Sequence, residues 1–397
     1  MLRAFSRPGL LLIATTIGLT VLYGAVTFVR ARAASPTVSL ARTPGGGIQP
    51  QALIDNNGVI HLIYYTGDPG HGDIYYVHKK AGENAPFSEP IRVNSTPGSA
   101  IAVGTIRGAQ LALGKDNRVM VVWNGSDRAQ NGPGGSPMLF ASLNGGGTAF
   151  EPERNLITKH GGLDGGGSVA ADDTGNVYVV WHAIAPGTPE DGGNIYLARS
   201  TDNGKSFAAE KRINPEVTGA CGCCSMRAYV DKKGSVYVLY RSASNGGASR
   251  DTILLVSNNR GATFSSSMVQ RWPVNACPMT SFSLAEAGNQ VLGAWETSQG
   301  VYYGKMASGA SAFGAITAPS GVGVGGRKYP VAVPNSKGQV LVAWAEGCGW
   351  AHGGSVAWQV YDKNGQPSGT KGHADGVPTW SLISAVPRPD GTFILFY

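Results

Sequence analysis

Seven segments of the chain repeat one pattern, and this repetition limits the fold more than any other feature. In order they read LIDNNGVIHLIYY, LGKDNRVMVVWN, ADDTGNVYVVWH, VDKKGSVYVLYR, AEAGNQVLGAWE, PNSKGQVLVAWA and PRPDGTFILFY. Each is a polar turn bearing Gly or Asn, followed by an apolar strand that closes on an aromatic residue: Tyr64, Trp123, Trp181, Tyr240, Trp295, Trp344 and Tyr397. A shorter strand precedes each turn, so the unit is a hairpin. The aromatics recur every 49 to 59 residues, and two further strands fit after most hairpins, as in NIYLARS and AAEKRIN. Four strands at that period make a β-propeller blade. One such sheet cannot bury both faces alone, whereas sheets packed around an axis can. The fold class is therefore all-β, a propeller with seven blades. The chain stops at the seventh aromatic, which leaves the last blade a bare hairpin; PTVSLART (36–43) is the spare strand that completes it and joins the two ends.

The first 34 residues are read separately. MLRAFSR is basic, residues 8–29 are an uninterrupted apolar run, and ARAAS follows. That run reaches the roughly 20 residues needed to span a bilayer, while the small residues at 31 and 33 suit signal peptidase. A signal-anchor and a cleaved signal peptide both remain open. Either exports residues 35–397, and the first makes the membrane a partner. Four of the 32 basic residues, Arg3, Arg7, Arg30 and Arg32, lie in this leader with no acid beside them, leaving 28 against 25 acids. So mild a balance gives no ground for nucleic-acid binding. The 58 glycines and 23 prolines fit a turn-rich exported domain.

A second motif sits between the third and fourth strands of some units. STDNGKSF (200–207) fits S-x-D-x-G-x-x-F, with Ser200, Asp202, Gly204 and Phe207 as its fixed positions. SNNRGATF (257–264) repeats it with Asn259, and SLNGGGTAF (142–150) is a looser copy. The short carboxylate or amide closes the turn on backbone N–H groups, Gly supplies positive φ, and the aromatic pins the turn to its blade. On these residues the domain, from about residue 50 to the end, resembles the sialidase superfamily of Asp-box propellers. The resemblance implies a sialidase-like fold and leaves six blades, the usual sialidase number, as the alternative to seven. It also implies that Asp202 is structural, on the face opposite an active site.

The opposite face collects the candidates for chemistry. Arg107, Arg227 and Arg327 precede three inner strands; His182, Arg241 and Glu296 each follow an anchor aromatic; Asp127, His160, Asp164, Trp350, His352 and Trp380 lie in connecting loops. The resemblance implies three arginines around one substrate carboxylate, which guanidinium forks bind bidentately. It casts Arg107, Arg227 and Arg327 in that role, Glu296 as base, and Asp127 or Asp164 as acid. Arg241, His182, Trp350 and Trp380 are the substrate-binding candidates, the tryptophans by stacking on a sugar. The chain departs from the family pattern in three places. It has no FRIP arginine motif, it reads VPTWSL where a nucleophilic Tyr is expected, and Glu296 comes late in the order.

Three of the five cysteines crowd into TGACGCCSMR (218–227) as Cys221, Cys223 and Cys224; Cys277 and Cys348 lie in other loops of the same face. In an exported protein such a cluster reads first as disulfides, with Cys221 or Cys224 to Cys277. Five is odd, which leaves at least one thiol over. With His182, His352 and Met279 the cysteines also form a ligand set suited to copper or zinc, although CGCC fits no standard zinc spacing. No other cofactor motif is present. The leading expectation is a protein that recognises or hydrolyses glycans or polysaccharides. The alternatives are a non-catalytic propeller that binds a protein or polysaccharide partner, and a metal-dependent site.

Overall fold

Four of the seven hairpins share one turn chemistry. In LIDNNGV the Asp55 carboxylate accepts the backbone N–H groups of Asn57 (2.9 Å) and Val59 (2.8 Å), the local bonding that makes Asx residues turn formers. Asp172, Asp231 and Asn335 close their turns in the same way, on the residues two and four places ahead. The strands that follow do not alternate. Val177–Ala183 (VYVVWHA) is buried along its whole length, as are Val119–Asn124, Val236–Arg241 and Val340–Glu346. Continuous burial means that both faces of each sheet are covered, so every sheet must lie between two others.

The computed structural model describes residues 37–82, 86–130, 132–320 and 326–397, and the leader segment lies outside them. No helix among the described residues is long and apolar enough to cross a membrane. Seven sheets are present among the described residues. Blade 1 is Ile48–Ile54, Val59–Asp68, His71–Lys80 and Ile91–Arg92, and blade 2 is Gln110–Leu113, Val119–Asn124, Met138–Ser142 and Arg154–Asn155. Blade 3 is Ser168–Ala171, Val177–Ala183, Asn194–Ser200 and Lys211–Arg212, and blade 4 is Arg227–Val230, Val236–Arg241, Thr252–Ser257 and Ser265–Gln270. Blade 5 is Phe282–Ala287, Gln290–Thr297, Gly300–Ala307 and Ile316–Thr317, and blade 6 is Arg327–Pro334, Val340–Glu346, Gly354–Tyr361 and Pro367–Val377. Blade 7 has three strands: Ser384–Pro387, Phe393–Phe396 and, from the other end of the chain, Val38–Ala41. That last strand runs parallel to Phe393–Phe396, pairing Val38 with Phe393 and Ala41 with Phe396. The inner strands touch in sequence around the ring, and blade 7 returns to blade 1. Seven blades, closed by an N-terminal strand, are therefore observed, and six are not.

Trp123, Trp181, Trp295, Trp344 and Tyr240 are fully buried between blades. Truncating one such indole costs about 3–5 kcal/mol. The outer strand of blade 3 is shorter than the sequence led us to expect: AAEKRIN reduces to Lys211–Arg212.

The STDNGKSF turn closes on its own side chains. Asp202 accepts the N–H (2.9 Å) and hydroxyl (2.5 Å) of Ser206, and Ser200 Oγ accepts the N–H of Gly204 (2.9 Å) at φ +81°. These bonds, those from Ser206 foremost, hold the Asp202 carboxyl well below the usual range. Phe207 meets Phe140 of blade 2 edge-on at 5.0 Å, so the turn also clasps the neighbouring blade. Ser257, Asn259 and Gly261 repeat the construction. These turns lie at one end of the ring. At the other end, here called the mouth, chain enters the inner strands and passes from second to third strands.

Candidate functional site

Two neighbouring hollows lie at and below the mouth. The first, of about 270 Å³, runs along the axis between the inner strands, among Gln51, Gln110, Arg227, Phe282, Tyr329 and Leu382. The second, of about 320 Å³, lies at the mouth and is lined by Gly104, Ile106, Arg107, Cys223, Cys277, Met279 and Trp350. Ile106 lines both.

The three expected arginines do not converge. Arg107 donates to the carboxylate and backbone carbonyl of Asp164 and to the carbonyl of Val103. Arg327 lies over the Trp344 ring at 4.7 Å, donates to the Pro319 carbonyl (2.7 Å), and faces Glu346 at 3.6 Å. Glu346 in turn accepts the Trp344 indole N–H at 2.6 Å. Arg227 differs from both. Its Nη1 donates to the side-chain oxygens of Gln110 and Gln51, its Nε has no partner, and no carboxylate among the described residues pairs with it. Burial pushes this guanidinium down to about 10. An unneutralised cation thus faces the axial cavity.

The other candidates divide between frame and mouth. Arg241 is a structural tie, donating to the Arg250 carbonyl, Thr252 Oγ1, Thr280 Oγ1 and the Glu296 carbonyl between Trp272 and Phe282. It cannot touch a substrate at the mouth, because the side chain is fully enclosed. Glu296 is buried and accepts Lys328 Nζ at 2.9 Å. Burial, opposed by that lysine, pushes its carboxyl up to about 7. His182 is buried, and the polar group its ring approaches for a hydrogen bond is the Ala220 carbonyl. Burial holds it neutral, down to about 4, so it is not an exposed sugar contact. Asp127 is exposed beside His71, and His160 stacks on Tyr196 beside Glu210.

Trp350 and Trp380 do come together. Their rings meet edge-on at 4.9 Å, and Trp350 remains 54% exposed at the lip of the mouth hollow. Trp380 sits at φ +61°, its carbonyl bonded to the buried Gln49 amide. That contact fixes the platform from behind.

All five cysteines are unbridged. Sγ of Cys221 lies 3.3 Å from that of Cys223 and 3.4 Å from that of Cys224. The thiol that Cys277 approaches is Cys223, together with the Glu190 carboxylate, rather than Cys221 or Cys224. Against the penalty of burial, hydrogen bonds from the other two thiols and the charge of Arg241 hold Cys224 well below the usual thiol range. Hydrogen bonding to Cys221 and Cys224, reinforced by burial, pushes Cys223 up. Cys348 stands apart, raised to about 11 by burial.

Sequence reasoning missed Tyr329, Lys328, Gln51, Gln110 and Glu190. Tyr329 lies two residues after Arg327, buried at φ +53° on the wall of the axial cavity. Burial, then the nearby Glu296, pushes its phenol up. The tyrosine in GGRKYP is the signal that was available; the two glutamines carry none.

No protein-family model and no curated protein matches the chain. Among solved structures, a sialidase of Trypanosoma rangeli in complex with the inhibitor DANA is 11% identical, covering 77% of this chain and 53% of its own, with a TM-score of 0.52. A Hadza microbial sialidase is 13% identical over 80% of this chain and 69% of its own, with a TM-score of 0.49. A protein of unknown function from Dyadobacter fermentans is 16% identical over 72% and 92%, also at 0.49. The fold is that of sialidase-like propellers, at low identity.

Proposed function

We propose that this propeller recognises an acidic glycan, with the sugar's carboxylate on Arg227 in the axial cavity and neighbouring sugar rings on Trp350 at the lip. The observation that carries this reading is Arg227. A guanidinium half-withdrawn from water without an anionic partner is costly to keep, and a carboxylate is the group its fork binds bidentately. Gln51 and Gln110 hold the fork in place, and the Tyr329 phenol, kept protonated, is a further donor on the same wall.

Recognition fits the geometry better than sialidase-type hydrolysis. Arg107 and Arg327 are already engaged, Asp164 is paired with Arg107, and Glu296 is enclosed with Lys328. Similarity in fold to the Trypanosoma rangeli sialidase supports glycans as the ligand class. The leader, with its basic start and long apolar run, supports export of the domain to meet such ligands.

Calorimetric titration of the full chain tests the reading, with sialic acid and glucuronic acid set against their neutral counterparts. The expected result is binding of acidic sugars only, with no sugar released from a polymer. Equal affinity for neutral sugars would remove Arg227 from the account, and released product would make the protein a hydrolase.

A further inference from the structure

The thiols of the mouth are not used by the glycan reading, and their arrangement is specific. Cys221, Cys223 and Cys224 turn three sulfur atoms toward one point, with the two measured separations at 3.3 and 3.4 Å. A three-coordinate metal with bonds of about 2.3 Å to sulfur holds its ligands about 4 Å apart, so the free thiols stand slightly closer together than bound thiolates would. The loop that carries them is pinned at both ends: Cys221 N–H donates to the Arg241 carbonyl (2.9 Å) and Ser225 N–H to the Thr280 carbonyl (3.0 Å). Thr280 N–H points at Cys224 Sγ from 3.5 Å, as a backbone donor does toward a sulfur bearing charge. The sulfurs therefore need to open by only about 0.6 Å per pair to act together on one ion.

Two neighbours strengthen the case. Two enclosed guanidinium groups act on the trio, Arg241 on Cys224 and Arg250 on Cys221, and would offset the charge of bound thiolates. The His182 ring, buried beside the Ala220 carbonyl, lies against Gly222; a Cβ added there would sit 3.0 Å from the ring. A side chain at 222 would press on the imidazole, so glycine there lets the thiol loop pass close to it.

We propose that Cys221, Cys223 and Cys224 form a three-coordinate thiolate site for a soft monovalent ion, Cu(I), reached through the mouth hollow past Cys277 and Met279. Among the described residues no His, Asp, Glu or further Cys joins the trio as a fourth ligand. A structural zinc site is almost always closed by four ligands, whereas soft thiolate and thioether donors select Cu(I). The hollow that leads to Cys223 presents two more sulfurs, Cys277 and Met279, so the route in is itself thiophilic. Binding releases the thiol protons to solvent and changes no oxidation state.

The test uses the full chain, reduced and kept free of oxygen, titrated with Cu(I) against a chromogenic Cu(I) chelator. One equivalent should be withheld, with X-ray absorption showing sulfur-only, three-coordinate copper. Cys221→Ser and Cys224→Ser should each weaken retention by at least about a hundredfold, the upper end of the cost of losing a ligand's hydrogen-bonding partner. Cys348→Ser should bind like the parent. Cys223→Ser, at the half-exposed position, gives the same reading if the buried variants fail to fold, with the melting temperature as the check. Copper held equally well by the Cys223→Ser variant, or zinc displacing copper in direct competition, would overturn the assignment.

Discussion

Replacing Arg227 by methionine separates function from stability, and the structure sets the size of both effects. Burial lowers the guanidinium from 12.5 to about 10, which at 1.36 kcal/mol per pH unit puts the cost of keeping the charge inside at about 3 kcal/mol. Against this stand the bond to Gln110 and a longer one, 3.3 Å, to Gln51. Bonds from a charged donor contribute about 1.5–3 kcal/mol each, and the longer one less. Cost and gain nearly cancel, and Met fills much of the vacated volume with apolar atoms, an exchange that is often neutral or stabilising for a buried ion. Arg227→Met should therefore shift stability by no more than about 1 kcal/mol, about 2 °C or less in a domain this large. Affinity for an acidic sugar should fall by about 2 kcal/mol, roughly thirtyfold. Scanning calorimetry and titration on one preparation read both quantities. A melting temperature lowered by the equivalent of about 3 kcal/mol, with sugar affinity unchanged, would show that Arg227 is a structural tie and that the reasoning fails.

Three further outcomes follow from the same structure. Asp202→Ala removes the acceptor of the Ser206 N–H and hydroxyl and should cost about 1 kcal/mol in thermal melts, with no change in sugar binding because it lies at the far end of the blades. Trp350→Ala should weaken oligosaccharide binding more than monosaccharide binding in a titration series, since the indole stands at the lip while Arg227 lies below; equal losses would place the indole elsewhere in recognition. In metal-free protein, His182 and Glu296 should give opposite pH dependences, measured by denaturant melts from pH 4 to 7. His182 is lowered from 6.5 to about 4, so the unfolded chain binds the extra proton between those values and the stability present above 6.5 is lost as pH falls. Glu296 is raised from 4.5 to about 7, so the folded chain binds the extra proton and stability is lost as pH rises through that window. Each effect reaches about 3 kcal/mol, and they offset each other between about 4.5 and 6.5. His182→Gln should leave stability falling with pH, and Glu296→Gln should leave it rising; flat profiles in both variants would contradict the burial argument.

The propeller was legible because its determinants are local and repeated. Asp55, Asp172, Asp231 and Asn335 each close a turn with their own side chain, and each following strand declares by its continuous apolar run that it lies between sheets. The spare strand at Val38–Ala41 could be assigned because blade 7 visibly lacked its outer strands. The site was less legible because it depends on where side chains from distant blades end. Arg107, Arg227 and Arg327 look equivalent in sequence, yet Asp164 and Glu346 engage two of them and leave one. Arg241 and His182 follow anchor aromatics and seemed to face the mouth, but the blades enclose both. Gln51 and Gln110, 59 positions apart in the chain, matter only because both inner strands line the axis beside Arg227.

The most direct measurement is a crystal structure of the protein soaked with an acidic monosaccharide. The account predicts the sugar in the axial cavity, with its carboxylate on the Arg227 fork at about 2.7–2.9 Å, the range of charge-assisted bonds. A sugar bound only outside the cavity, or an axial cavity that stays empty of sugar while the protein binds it in solution, would contradict the account.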